Sequence, residues 1–110
     1  MTDTLANPFR GEASLPLAGS PRLLRPSFAA LVAAEEELGP LFALVERAGA
    51  GQLKLAELVA LFWHCLADRS AVNREQLGEA VMALGLAEAS KPLRVLLGQI
   101  LQGRADQPEP

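Results

Sequence analysis

The single histidine of this 110-residue chain, His64, stands beside its single cysteine, Cys65, and four residues before Asp68. Glu57 precedes His64 by seven positions, so helical spacing sets Glu57, His64 and Asp68 along one narrow edge. An imidazole and a carboxylate one turn apart can chelate a metal. Two or three ligands on one helix without a fourth nevertheless make a poor zinc site. His64 and Cys65 do not form a nucleophile–base dyad, because consecutive helical residues point about 100° apart. A lone cysteine excludes an intrachain disulfide framework and any multi-thiolate metal centre. No GxSxG elbow, phosphate-cradling glycine loop or HExxH helix occurs. The edge reads as a solvated helix rim. The expectation is therefore no catalytic residue, no metal and no cofactor, and so no enzyme.

Two other groups of residues could do binding chemistry. Glu35, Glu36 and Glu37 fall in the last turn of a helical segment, where the macrodipole disfavours negative charge. Glu35 lies seven residues after Phe28, on the same apolar stripe. It is expected to pair with Arg22 or Arg25, or, with Glu36, to form an acidic patch for a basic partner. Phe62 and Trp63 sit on a segment apolar over most of its circumference. One stripe is Leu55, Leu58, Val59, Phe62 and Leu66; the next is Ala56, Ala60, Trp63 and Ala67. Such a helix is central in its fold or buried against another chain. The central reading is the simpler one; the functional reading makes Phe62 or Trp63 an anchor for a partner. Glu35, Glu36, Phe62 and Trp63 are the candidate partner-binding residues.

The elements that carry these residues follow from composition and punctuation. Leu and Ala fill 21 and 19 positions, while β-branched residues are few and Tyr is absent. That balance predicts a mainly α fold. A small domain of about five short helices, preceded by an N-terminal β-hairpin, fits the pattern. Residues 1–10 read as a flexible start, 11–103 as one helical domain, and 104–110 as a disordered tail. The alternation of Ala13, Leu15 and Leu17 with polar neighbours predicts strands near 12–17 and 22–25, closed by a glycine-containing turn. Ser27 caps a first helix that stops at Gly39. Pro40 is expected in the first position of a second, Leu41 to Ala48. A third is expected from about Leu53 to Ala67. Asn73 and Gln76 form a capping box for a fourth ending at Gly85. A fifth runs from about Glu88 to Gln102, with Pro92 tolerated in its first turn. Gly78 and Gly98, inside helices, are read as marks of close helix–helix approach.

Charge and hydropathy remove further classes. A formal net charge of −3 with scattered arginines lacks the footprint of a nucleic-acid binder. The nearly uncharged stretch Leu58 to Leu66 is far below the roughly 20 residues that span a bilayer. Met1-Thr2-Asp3-Thr4 has neither a basic segment nor an apolar run, so no secretory signal is expected. A cytoplasmic-type protein is the expectation.

The order of the pieces resembles a known family. Asn7-Pro8, Arg10-Gly11-Glu12, the hairpin, Leu24-Arg25-Pro26-Ser27-Phe28, Ala30-Leu31, Glu35-Glu36 and Leu38-Gly39 look like the small tail proteins of gene transfer agents and related phages. Gly51-x-Leu53-x-Leu55-x-Glu57-Leu58 and Gly85-Leu86-Ala87-Glu88-Ala89 are also similar, extending the resemblance over about residues 7–103. The hairpin turn carries Gly19-Ser20-Pro21 where a Gly-Gly pair is more typical. Members are usually described as tail assembly chaperones, sometimes as tail tube proteins. The resemblance implies a non-enzymatic role in building a phage-like tail in a bacterial cytoplasm. The implied partner is the helical tape-measure protein, kept soluble while tube subunits polymerise, with several copies of the chain per client and a homo-oligomer as the further expectation. The alternatives are a structural tube component or a helical adaptor unrelated to particles.

Overall fold

The computed structural model describes residues 13–17, 20–70 and 72–102. The expected flexible start at 1–10, the hairpin turn glycine and the expected tail at 104–110 lie outside these described residues. Strand β1 (Ala13–Leu17) pairs antiparallel with β2 (Ser20–Leu24), Ala13 opposite Leu24 and Leu17 opposite Ser20. β2 begins two residues before its expected start, because pairing continues through Pro16 opposite Pro21. The period-two alternation has its expected result: Ala13, Leu15 and Leu17 are buried, while Ser14 and Pro16 face outward.

Five helices follow among the described residues: α1 (Phe28–Leu38), α2 (Leu41–Gly49), α3 (Leu55–Cys65), α4 (Arg74–Leu84) and α5 (Leu86–Gln102). Their ends are set locally. Ser27 accepts from the amide of Ala30 at 3.1 Å, and Gly39, at φ 90°, stops α1. Asn73 and Gln76 bond each other's backbone amides at 2.7 and 2.9 Å, the reciprocal box that starts α4. Pro40 sits one residue earlier than expected, as the cap of α2 and not its first helical residue.

Two helices depart from the expected bounds. α3 is shorter at both ends. At its start Glu57 folds back onto the amide of Lys54 at 2.9 Å, fixing the cap there. At its end Leu66 leaves the helix to bridge Leu24. The Arg25 amide donates to the Cys65 carbonyl and the Ala67 amide to the Leu23 carbonyl, so β2 takes over the backbone groups that another helical turn needs. α5 begins at Leu86, which puts Pro92 in its second turn instead of its first. The ring of Pro92 is buried there.

The core forms where the hairpin, α3, α4 and α5 converge. Leu15, Leu24, Leu44, Leu61, Phe62, Leu77, Val81 and Leu96 are fully buried in it. No described helix is long and apolar enough to cross a membrane. Gly78 packs toward α3, where an added Cβ meets Val59 at 3.8 Å, an ordinary contact. Gly98 corrects the expectation: nothing lies within 4 Å of a Cβ built there, so it marks no close approach.

Candidate partner-binding surface

The acidic run at the end of α1 divides its work. Glu35 offers Oε2 to the amide of Leu41 at 3.0 Å, at the first helical residue of α2. An acid that is misplaced for the dipole of α1 is thus well placed for the dipole of α2. Glu36 is exposed and lines a shallow hollow with Val32, Gly39 and Pro40. Glu37 carries a role that no candidate was assigned. Its Oε1 meets His64 Nε2 at 2.8 Å and its Oε2 accepts from Arg74 at 2.6 Å, tying α1 to α3 and α4. The Arg74 hydrogen bond first, and the His64 bond second, hold the Glu37 carboxyl at about 2, below its ordinary 4.5.

Trp63 stands beside this knot, half-buried. The Arg69 and Arg74 guanidinium carbons lie 5.4 and 5.8 Å from its ring centre. Phe62 is fully buried against the rest of the core, so in this fold it has no surface to give a partner. That burial corrects its place among the binding candidates; α1 and α4 both pack on α3, the helix that carries it.

The supposed polar edge of α3 is three separate attachments. Glu57 accepts from Arg47 and the Lys54 amide, and the latter bond is the main reason its carboxyl is held below the usual range. Asp68 accepts from the amide and hydroxyl of Ser70 at 2.9 and 2.7 Å, which likewise lowers it. His64 goes to Glu37. Among the described residues no group of three or more His, Cys, Asp or Glu converges on a metal-sized site. Burial pushes the Cys65 thiol up to about 12, which leaves no thiolate nucleophile at neutral pH.

The surface least accounted for by folding lies on the other side of α1. Leu31 of α1, Leu41, Phe42 and Val45 of α2, and Ile100 and Leu101 of α5 line a groove of about 400 Å³. Phe42 is 84% exposed and Leu101 60%. Phe28, at the start of α1, is 85% exposed. Neither Phe28 nor Phe42 is among the sequence candidates. The signal for Phe42 is present in Leu41-Phe42-Ala43-Leu44-Val45: a nine-residue helix has no single face that hides so many apolar side chains.

Comparison with known families finds a match over most of the chain. The model of the family described as phage tail tube protein, GTA-gp10, covers residues 10–103. Nothing among curated proteins or solved structures matches the chain.

Proposed function

The chain belongs to the GTA-gp10 phage tail tube protein family, and from that premise we propose that it acts in tail assembly as a non-enzymatic chaperone. In this reading it holds apolar helical stretches of the tape-measure protein in the bacterial cytoplasm until tube subunits enclose them. The observation that carries the reading is the apolar groove between α1, α2 and α5, with Phe42 84% exposed at its rim. A side chain of that size left in water contributes nothing to the fold, and aromatic rings often anchor interfaces. Co-expression tests it. The tape-measure protein should stay in the soluble fraction with this chain and precipitate without it; equal solubility in both cases overturns the proposal.

The family's own description favours a second reading, in which the chain is a structural subunit of the tube. Quantitative mass spectrometry of purified particles separates the two. A chaperone is absent from finished particles, whereas a tube subunit is present at many copies per particle.

A further inference from the structure

We infer that the groove between α1, α2 and the end of α5 receives an amphipathic helix whose apolar face is flanked by lysine or arginine. The inference rests on the chaperone reading and gives it a binding mode and a charge requirement.

The occupant's secondary structure follows from what the groove lacks. Among the described residues its lining comes from α1, α2, α5 and Pro26, with no strand residue. It offers apolar side chains and no open ladder of backbone donors and acceptors. A segment entering it must satisfy its own backbone hydrogen bonds, which a helix does and an extended peptide does not.

The charge follows from the rim. Among the described residues, Glu35 is the one ionisable side chain lining the groove, the adjoining hollow adds Glu36, and neither is lined by a lysine or arginine. One Glu35 oxygen serves the Leu41 amide, while the side chain remains exposed. A cation beside the apolar face of the entering helix meets this acidic rim, and an anion is repelled. Two other occupants fit worse. A second copy docking groove to groove brings the same glutamates to the contact, like charge on like. Residues 103–110, Gly-Arg-Ala-Asp-Gln-Pro-Glu-Pro, contain no large apolar side chain to fill the groove.

The test uses the full chain and a labelled amphipathic peptide of about 18 residues, long enough to form a helix on binding. Leucines occupy one face and lysines flank it; a twin peptide carries glutamates instead. Fluorescence anisotropy should show the lysine peptide binding about tenfold or more tighter than its twin, a gap that narrows with added salt. Phe42→Ser and Leu101→Ser should each weaken it about tenfold. Glu36→Gln should reduce the gap between the peptides. Urea midpoints establish that these variants remain folded. The inference is overturned by equal affinity for the two peptides, by binding indifferent to both groove variants, or by no binding. It is also overturned by a dimer in light scattering that Phe42→Ser dissolves, which assigns the groove to a second copy. Co-expression keeps the two levels apart. If wild type and both groove variants solubilise the tape-measure protein equally, the groove assignment falls and the chaperone reading stands. If wild type fails to solubilise it, the chaperone reading falls, and the peptides still judge the groove.

Discussion

Phe62 and Phe42 are the same side chain on neighbouring pieces of one fold, the first fully buried and the second 84% exposed. Around Phe62, α3 is covered from several directions: α1 and α4 pack on it, and β2 bridges its end through Leu24 and Leu66. Leu58, Val59, Phe62 and Leu66 of its first stripe are buried as a result, whereas in the second stripe only Ala60 is. α2 is shorter and packs chiefly on α1; Leu44 is buried, and among the described residues the side that carries Phe42 faces the open groove. An apolar surplus becomes core where several elements converge and becomes surface where one does. The first ring holds the molecule together, and the second is left at its surface.

The sharpest way to break this comparison is to truncate both rings. Phe62→Ala removes a fully buried side chain and should cost about 3–5 kcal/mol, much of the stability of a domain this size. Phe42→Ala should change stability by less than about 0.5 kcal/mol, as expected for a surface substitution. Urea unfolding of the two variants decides it. Similar losses for both would place Phe42 in a core and remove the contrast.

A second test probes the side of α1 where polar groups are satisfied. Glu37 is held at about 2 by Arg74 and His64, below the ordinary 4.5. A depressed carboxyl contributes stability that is fully present above its unfolded value and lost as pH falls toward its folded value. The loss should therefore run from about pH 4.5 down to about pH 2. Because the side chain is 38% exposed, solvent screening reduces the contribution to about 1 kcal/mol. Glu37→Gln should flatten the acid limb of the wild-type stability curve over that window. An unchanged limb would show that the link among α1, α3 and α4 is idle.

Local features were legible in the residue order, and convergent ones were not. The hairpin alternation, the Ser27 and Asn73 caps and the Gly39 and Gly85 stops depend on neighbours within four residues, and they fall where the sequence puts them. The C-terminal end of α3 does not, because apolar periodicity runs on through Leu66 while tertiary bonds to β2 and Arg25 set the boundary; its start is set locally, by Glu57 on the Lys54 amide. Glu37 finds partners 27 and 37 residues away, a separation no spacing rule reaches. In the candidate surface, the odd position of the acidic run at the end of α1 is visible in the residue order. The groove was missed because its walls come from three helices whose mutual placement the pattern does not specify.

Glu35 joins the two regions, so its substitution sharpens the comparison. Glu35→Ala removes the acceptor at the start of α2 and should cost about 0.5–1 kcal/mol. Glu35→Gln keeps an acceptor oxygen and should cost less, while lowering affinity for a cationic helix by the loss of charge. Thermal melts and the peptide titration together read the two roles. Loss of stability in Glu35→Ala without any effect of Glu35→Gln on affinity would leave Glu35 a purely structural cap.

The smallest expected effect has the opposite sign. Gly98 lies inside α5, three residues before the groove residue Leu101, and a Cβ there meets nothing within 4 Å. Glycine in a helix interior costs up to about 1 kcal/mol against alanine, through the extra freedom of its unfolded backbone. Near the end of a helix that penalty is partly relieved by fraying, so Gly98→Ala should raise stability by about 0.5 kcal/mol. The same substitution stiffens the turn that presents Leu101 without adding bulk beside it. If the groove works as a preformed surface, peptide affinity should hold or rise slightly in Gly98→Ala. A gain in melting temperature coupled to a loss of affinity would mean that this end of α5 must yield to admit its partner, and the groove would then be a conformation selected by binding rather than a fixed feature of the fold.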